Sequence, residues 1–297
     1  MTKKGFVFQI VVFLLLVVSF SGCMFLDNDS GDAIPDGLYV SINGDKQFSS
    51  IQTAIDAAAE NETVYVFPGV YNETIKINKT ITLMGQNAET TIIDGNNSGN
   101  VIIVINTERC NIKGFTIRNS GPSHSGIDLK APYNNISDNI IKNNHYGIYS
   151  RDFDSNYVCK NIFEYNDEYG IYLQSSNSNW ILKNIFKNND CAMRVKARYN
   201  VITKNLFENN SQGLYFCCFA ERNQVYRNNF INNTESQAID NVDGATWYNV
   251  EEKQGNYWDD YTGKDIDGDG IGETSYNVNF QGTEQDRYPL VNQWPIT

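Results

Sequence analysis

The chain of 297 residues carries 35 Asp or Glu against 23 Lys or Arg, for a net charge of −12. The acid is concentrated at the end: residues 134–235 hold eleven Lys or Arg and ten Asp or Glu, whereas residues 236–297 hold three and twelve. A nucleic-acid-binding domain should be basic over its working face, so that class is excluded, and the six cysteines show no Cys-x-x-Cys or Cys-His spacing of a structural zinc site.

Lys3 and Lys4 precede an uninterrupted apolar run from Ile10 to Val18, followed by Ser21-Gly22-Cys23. This is the layout of a secretory signal with small residues before its cut site, so residues 1–23 are expected to direct export. A cysteine directly after such a segment resembles the bacterial and archaeal lipobox, with Phe20 in place of the usual leucine, and makes Cys23 the candidate for lipidation. The competing reading is an uncleaved anchor, for which the run falls short of the ~20 residues of a comfortable span. On either reading the body sits outside the cell, at the surface, joined to the membrane only through this anchor and a polar linker over residues 24–37.

Residues 38–245 read as a solenoid with its own cap. Ser49 to Ala59 has a Ser start, helix formers and an apolar stripe at Ile51, Ala54, Ile55 and Ala58, the pattern of a short capping helix. The runs Thr80 to Met84, Thr91 to Asp94 and Val101 to Ile105 look like early, irregular coils, and Ile112, Phe115 and Ile117 enter the register that follows. Between Asn134 and Asn233 the pattern Asn-x-(Ile/Val)-x-x-Asn-x-(Ile/Phe)-x-x-Asn occurs five times, with middle asparagines Asn139, Asn161, Asn184, Asn205 and Asn228. Leucine is too scarce for a leucine-rich repeat. Short β-branched or aromatic runs separated by Asn and Gly predict brief strands joined by tight corners, an all-β, right-handed parallel β-helix. Asparagine suits the corners because its side chain bonds nearby backbone and tolerates the left-handed region. About nine coils at ~4.8 Å each make a rod, expected to be a monomer. Cys110, Cys159, Cys191, Cys217 and Cys218 read as small hydrophobes filling coil positions, with no pairing assigned.

Alternation after the corner glycine or alanine turns Ile127, Ile148, Ile171, Met193 and Leu214 inward. It leaves Asp128, Tyr149, Tyr172, Arg194 and Tyr215 as one outward column and Lys130, Arg151, Gln174, Lys196 and Cys217 as the next. Tyrosine faces stack on sugar rings and cationic groups pair with uronates or sulfates, so this face is the candidate site for a polysaccharide or envelope glycan. The alternative is plain packing of like side chains along the axis. Lys160, Lys183, Lys204 and Arg227 form a second column of like charge, read as solvated side chains. For catalysis the weak candidates are Asp128, Asp152 and Asp154, with Asp167, Glu168, Asp190 and His124 near in register; no recognisable catalytic motif accompanies them. A lyase, hydrolase or epimerase on the same face, or a structural envelope or adhesion protein, are the other readings.

Residues 246–297 read as a C-terminal cap. Within it, Asp265, Asp267, Asp269 and Glu273 stand at positions 1, 3, 5 and 9 of a loop with Gly270 at position 6, the start of an EF-hand-like calcium loop. Position 12 is Tyr276 rather than a bidentate glutamate, and Asp259, Asp260 or Asp286 are the candidates to supply further oxygens. A structural Ca2+ is the expected cofactor.

The signal, the cap helix, the Asn-rich coils and the closing block, Gly255-Asn256-Tyr257-Trp258-Asp259-Asp260-Tyr261 through Asp286-Arg287-Tyr288-Pro289-Leu290, resemble archaeal exported NosD-like proteins with parallel β-helix (PbH1) repeats. The resemblance implies a β-helix related to carbohydrate-binding proteins and sugar hydrolases and, for the namesake, a role in copper-site maturation. The copper role is not carried over, because two histidines and four methionines form no soft-ligand cluster.

Overall fold

The computed structural model describes residues 36–279 and 282–296; the export signal, Cys23 and most of the linker lie outside the described residues. Parallel strands stack into three long sheets of nine, eight and nine strands, each strand pairing with its counterpart about one repeat away. This is the parallel β-helix of about nine coils that the repeat predicts. Each Asn repeat supplies two strands of three residues, such as Trp180–Leu182 and Ile185–Lys187, while the third sheet takes strands of up to six, such as Tyr169–Gln174.

The apolar columns are the core. Ile136, Val158, Ile181, Ile202 and Val225 and, on the next sheet, Ile141, Phe163, Phe186, Phe207 and Phe230 are all buried. Phe163, Phe186, Phe207, Phe230, Trp258 and Tyr276 form a continuous aromatic stack with successive centroids 4.8, 5.0, 4.8, 4.4 and 4.2 Å apart. Such stacking follows from in-register pairing, which sets like rings one strand spacing apart.

Three buried asparagine ladders run along the corners. In the middle one the Oδ1 of Asn184 accepts from the backbone N–H of Asn161 at 2.9 Å and from its side-chain amide at 3.1 Å. Asn184 in turn donates from Nδ2 to Val158 O at 2.8 Å and to Asn205 Oδ1 at 3.1 Å. The ladders begin on the backbone N–H groups of Cys110, Phe115 and Ser120, which donate to Asn134, Asn139 and Asn144. Left-handed backbone was expected of the asparagines themselves, but it belongs to the residue before each. Asp138, Lys160, Lys183, Lys204 and Arg227 have φ of 55°, 56°, 58°, 57° and 58°. That turn swings the following Asn inward and drives the long side chain outward. The like-charged column is therefore a by-product of corner geometry, and burial with Arg227 and Lys183 nearby lowers the Lys204 ammonium.

Both ends are covered, as an open β edge requires. At the N-terminal end the helix Ile51–Ala57 buries Ile51, Ala54 and Ile55, with Ser50 as its cap. Glu73 from the following coil accepts from Ile51 N and Gln52 N at 2.9 and 3.0 Å. At the other end Trp247 and Trp258 are fully buried, and the middle ladder finishes on Asp286, not on another asparagine. Its carboxylate accepts from Asn256 N at 2.7 Å, Trp258 Nε1 at 3.0 Å and Tyr288 N at 3.1 Å. The Asn256 side-chain amide donates to it as well, at 3.3 Å, and with four donors and nothing to donate to, an acceptor-only group fits where an amide does not.

Two tests follow from the ladder. Asn184→Ala strands the buried N–H groups of Asn161, at about 1–3 kcal/mol for each unsatisfied group; chemical denaturation should show a loss of at least ~2 kcal/mol, against under ~0.5 kcal/mol for the exposed Gln224→Ala. Burial pushes the Asp286 carboxyl up to about 6, above the ~3.9 of an unfolded aspartate. The native state then holds this proton more tightly, so the group's contribution is full below about pH 4 and is lost as pH rises through about 6. Denaturation midpoints measured from pH 4 to 7 should show a shallower decline in Asp286→Asn than in the parent chain.

Candidate functional site

The third sheet carries the outward columns in the expected register: Asp128 pairs with Tyr149, Tyr149 with Tyr172, Tyr172 with Arg194 and Arg194 with Tyr215. Ile127, Ile148, Ile171, Met193 and Leu214 are buried beneath them. A further column lies beside these. A Cβ on Gly147 would sit 2.4 Å from Gly170 O and 3.0 Å from the Phe163 ring, so Gly147 and Ile148 both face inward and Tyr146 is left outside with Tyr149. Tyr146 pairs in register with Tyr169. Strict alternation counted from the glycine overlooked this column, although the Tyr-Gly dipeptides at 146–147 and 169–170 mark it.

The result is one continuous aromatic cluster, with Tyr169 buried and Tyr146, Tyr149 and Tyr172 half-buried. Tyr146 stacks on Tyr169 at 5.7 Å, Tyr149 meets Tyr172 at 5.3 Å, and Tyr169 meets Tyr172 at 5.1 Å. The Arg194 guanidinium lies 5.4, 5.8 and 5.1 Å from the rings of Tyr169, Tyr172 and Tyr215. It donates to the Tyr169 hydroxyl and, at 3.7 Å, to Cys217 Sγ. Burial, helped by the Glu168 carboxylate, pushes the Tyr146 phenol up to about 12, and burial raises Tyr169 as well. Both phenols therefore stay neutral and able to donate. At the edge of the cluster His145 Nε2 lies 2.9 Å from Glu168 Oε2.

The next column is also in register, with Arg151 beside Gln174 and Gln174 beside Lys196. Gln174 accepts from the Tyr149 hydroxyl at 3.0 Å, and Lys196 Nζ stands 5.8 Å from the Tyr172 ring. Cys217 differs from its expected outward exposure, because the Arg194 side chain lies against it and leaves it 5% exposed. At the N-terminal end of this column Lys130, Pro132, Phe153 and Glu108 line a cavity of about 440 Å³.

The weak catalytic candidates are not brought together. Asp128 is buried and held by Lys130 Nζ at 2.6 Å and Asn100 Nδ2 at 2.8 Å. Asp152 and Asp154 are exposed in the corner after the strand; Asp152 lies 3.6 Å from Arg151 Nε, and Asp154 accepts from Asn177 N at 2.6 Å.

In the acidic loop, Asp265, Asp267 and Asp269 each have a carboxylate oxygen within 4.8 Å of the others. Gly268 and Gly270 adopt φ of 84° and 89°, which turns the chain around this point. Glu273 is outside the group. Asp259, Asp260 and Asp286 are engaged elsewhere, with Asn232 N, the Tyr276 hydroxyl and the middle ladder respectively, so they supply no further oxygens there.

Solved structures share the fold at low identity. A pectin methylesterase from Aspergillus niger is 11% identical, over 78% of this chain and 89% of that one, with a TM-score of 0.50. The mannuronan C-5 epimerase A-module of Azotobacter vinelandii is 14% identical over 70% and 83%, with a TM-score of 0.44. The ORF18 protein of Geobacillus virus E2 is 14% identical over 77% of this chain with a TM-score of 0.48, and this chain spans only 60% of its length. No curated protein matches the sequence. Residues 55–263, well over half of the chain, match the family described as periplasmic copper-binding protein (NosD), and the chain belongs to that family.

Proposed function

We propose that this protein is exported and binds a polysaccharide or envelope glycan along the outer face of its third sheet. The observation that carries this reading is the aromatic cluster of half-buried Tyr146, Tyr149 and Tyr172 packed around buried Tyr169, with Arg194 set among tyrosine rings. Neutral tyrosines in register offer ring faces at the strand spacing and hydroxyls at their rims, the combination that stacks on and bonds to sugars. The periplasmic description of the family supports a place outside the cytoplasm, with Cys23 as the proposed point of lipid attachment. A catalytic reading has less support, because Asp128 is neutralised by Lys130 while Asp152 and Asp154 stand apart from the tyrosine surface.

The copper of the family description does not fit the donors at hand. Among the described residues, His145 is engaged by Glu168, His124 Nδ1 lies 2.7 Å from Pro122 O, and Met193 is buried in the core. Among the described residues, the one group of three or more acidic, His or Cys donors is Asp265, Asp267 and Asp269, all hard oxygens. That loop is proposed to hold Ca2+ and to lock the C-terminal cap.

Glycan-array binding should be present in the parent chain and lost in Tyr149→Ala and in Tyr172→Ala, each checked for an unchanged melting temperature; arrays blank across neutral and acidic glycans would end the proposal. For the loop, adding calcium should raise the melting temperature, roughly 2–4 °C for each kcal/mol gained in a chain of this size. Asp267→Asn should abolish that rise, and an equal rise in the variant would rule the loop out.

A further inference from the structure

Resting on the glycan-binding reading above, we infer that the ligand of the tyrosine face is a polyanion, a glycan bearing carboxylates or sulfates, anchored by Arg194 with Lys196 beside it. The charge pattern separates these two cations from their neighbours. Lys130, Arg151 and Arg198 each have a carboxylate within reach, on Asp128, Asp152 and Glu221. Among the described residues Arg194 and Lys196 have no such partner, even though the chain as a whole carries −12. Two adjacent cations left uncompensated beside the tyrosines give this part of the face a local potential that attracts anions; the corner column of Lys160, Lys183 and Lys204 is likewise uncompensated but has no aromatic cluster beside it.

Arg194 is also chemically incomplete. Nη1 is bonded to the Tyr169 hydroxyl, but Nη2 has only the sulfur of Cys217 at 3.7 Å and Nε is buried with no partner. Sulfur is a weak acceptor. Nε is enclosed, so the donor left for a carboxylate or sulfate is Nη2, whose present contact to sulfur is weak. Rings at 5.4, 5.8 and 5.1 Å hold the guanidinium in place, so little side-chain freedom is left to lose on binding. With the guanidinium so held, the half-buried Tyr172 and Tyr215 beside it are placed to meet the sugar. Glu168, the acid beside Tyr146 and Tyr169, is engaged by His145 at 2.9 Å.

The test measures binding of polygalacturonate, dextran sulfate and neutral dextran to the purified full chain at low and high salt. Binding of either anionic polymer but not dextran, weakening with salt and falling about tenfold or more in Arg194→Gln, is the expected result, with partial recovery in Arg194→Lys. Whichever anionic polymer binds identifies the group, carboxylate or sulfate. Dextran binding without anionic binding would leave the glycan reading standing and overturn the polyanion. Failure of all three polymers would overturn both. Anionic binding unchanged in Arg194→Gln, or weakened equally in Lys183→Gln at a corner remote from the face, would overturn the assignment to Arg194. If Arg194→Gln does not fold, Lys196→Gln takes its place with the same direction of effect.

Discussion

Everything in this molecule rests on one hydrogen bond made many times over: a buried corner N–H donating to the side-chain amide of the asparagine one coil further on. A chain that turns a corner three times per coil must bury backbone donors at each corner, where no strand lies to accept them. The asparagine oxygen does so, while its amide satisfies a carbonyl of the preceding coil. Without this exchange the left-handed corners, occupied by lysines, tyrosines and serines as well as asparagines, would carry conformational cost with nothing to offset it.

The same bond divides the molecule into working and non-working surfaces. Within the Asn repeats, two sheets have strands only three residues long, pinned at both ends by ladder asparagines, and their outward positions are few. The third sheet is longer and bounded by the variable loops, so it alone has room for several outward columns. That is where the tyrosines gather. The aromatic stack within the rod and the tyrosine surface outside it thus arise from one cause, the in-register pairing of successive coils, but only the outer one meets solvent.

Much of the architecture was legible because the constraint leaves a mark at fixed spacing. Asparagines five residues apart, with one apolar residue between, announce three ladders and two strands per repeat. The cap helix was legible for a similar reason, since Ile51, Ala54, Ile55 and Ala58 can form a buried stripe only on a helix. The site was less so. Outward alternation located Tyr149, Tyr172, Arg194 and Tyr215, but Tyr146 and Tyr169 were hidden by the inward glycine that follows each, which breaks the two-residue period. Asp286 was grouped with possible metal ligands because an aspartate beside an acidic loop looks like one; only the three-dimensional path of the chain makes it the last acceptor of a ladder. The partner of a charge is a tertiary fact too, and nothing in the order of residues distinguishes the compensated Lys130 from the uncompensated Arg194.

The ladder has a direction. Each coil's corner donates toward the following coil, and the series closes on a carboxylate that accepts and does not pass the pattern on. Nothing inside a coil records its ordinal position, so the length of the rod is set by the number of repeats between its two ends. A repeat duplicated or excised between them leaves the remaining joints chemically identical. Evolution can therefore lengthen or shorten the working face in whole-coil steps, adjusting the reach of the protein along an extended ligand without redesigning its core.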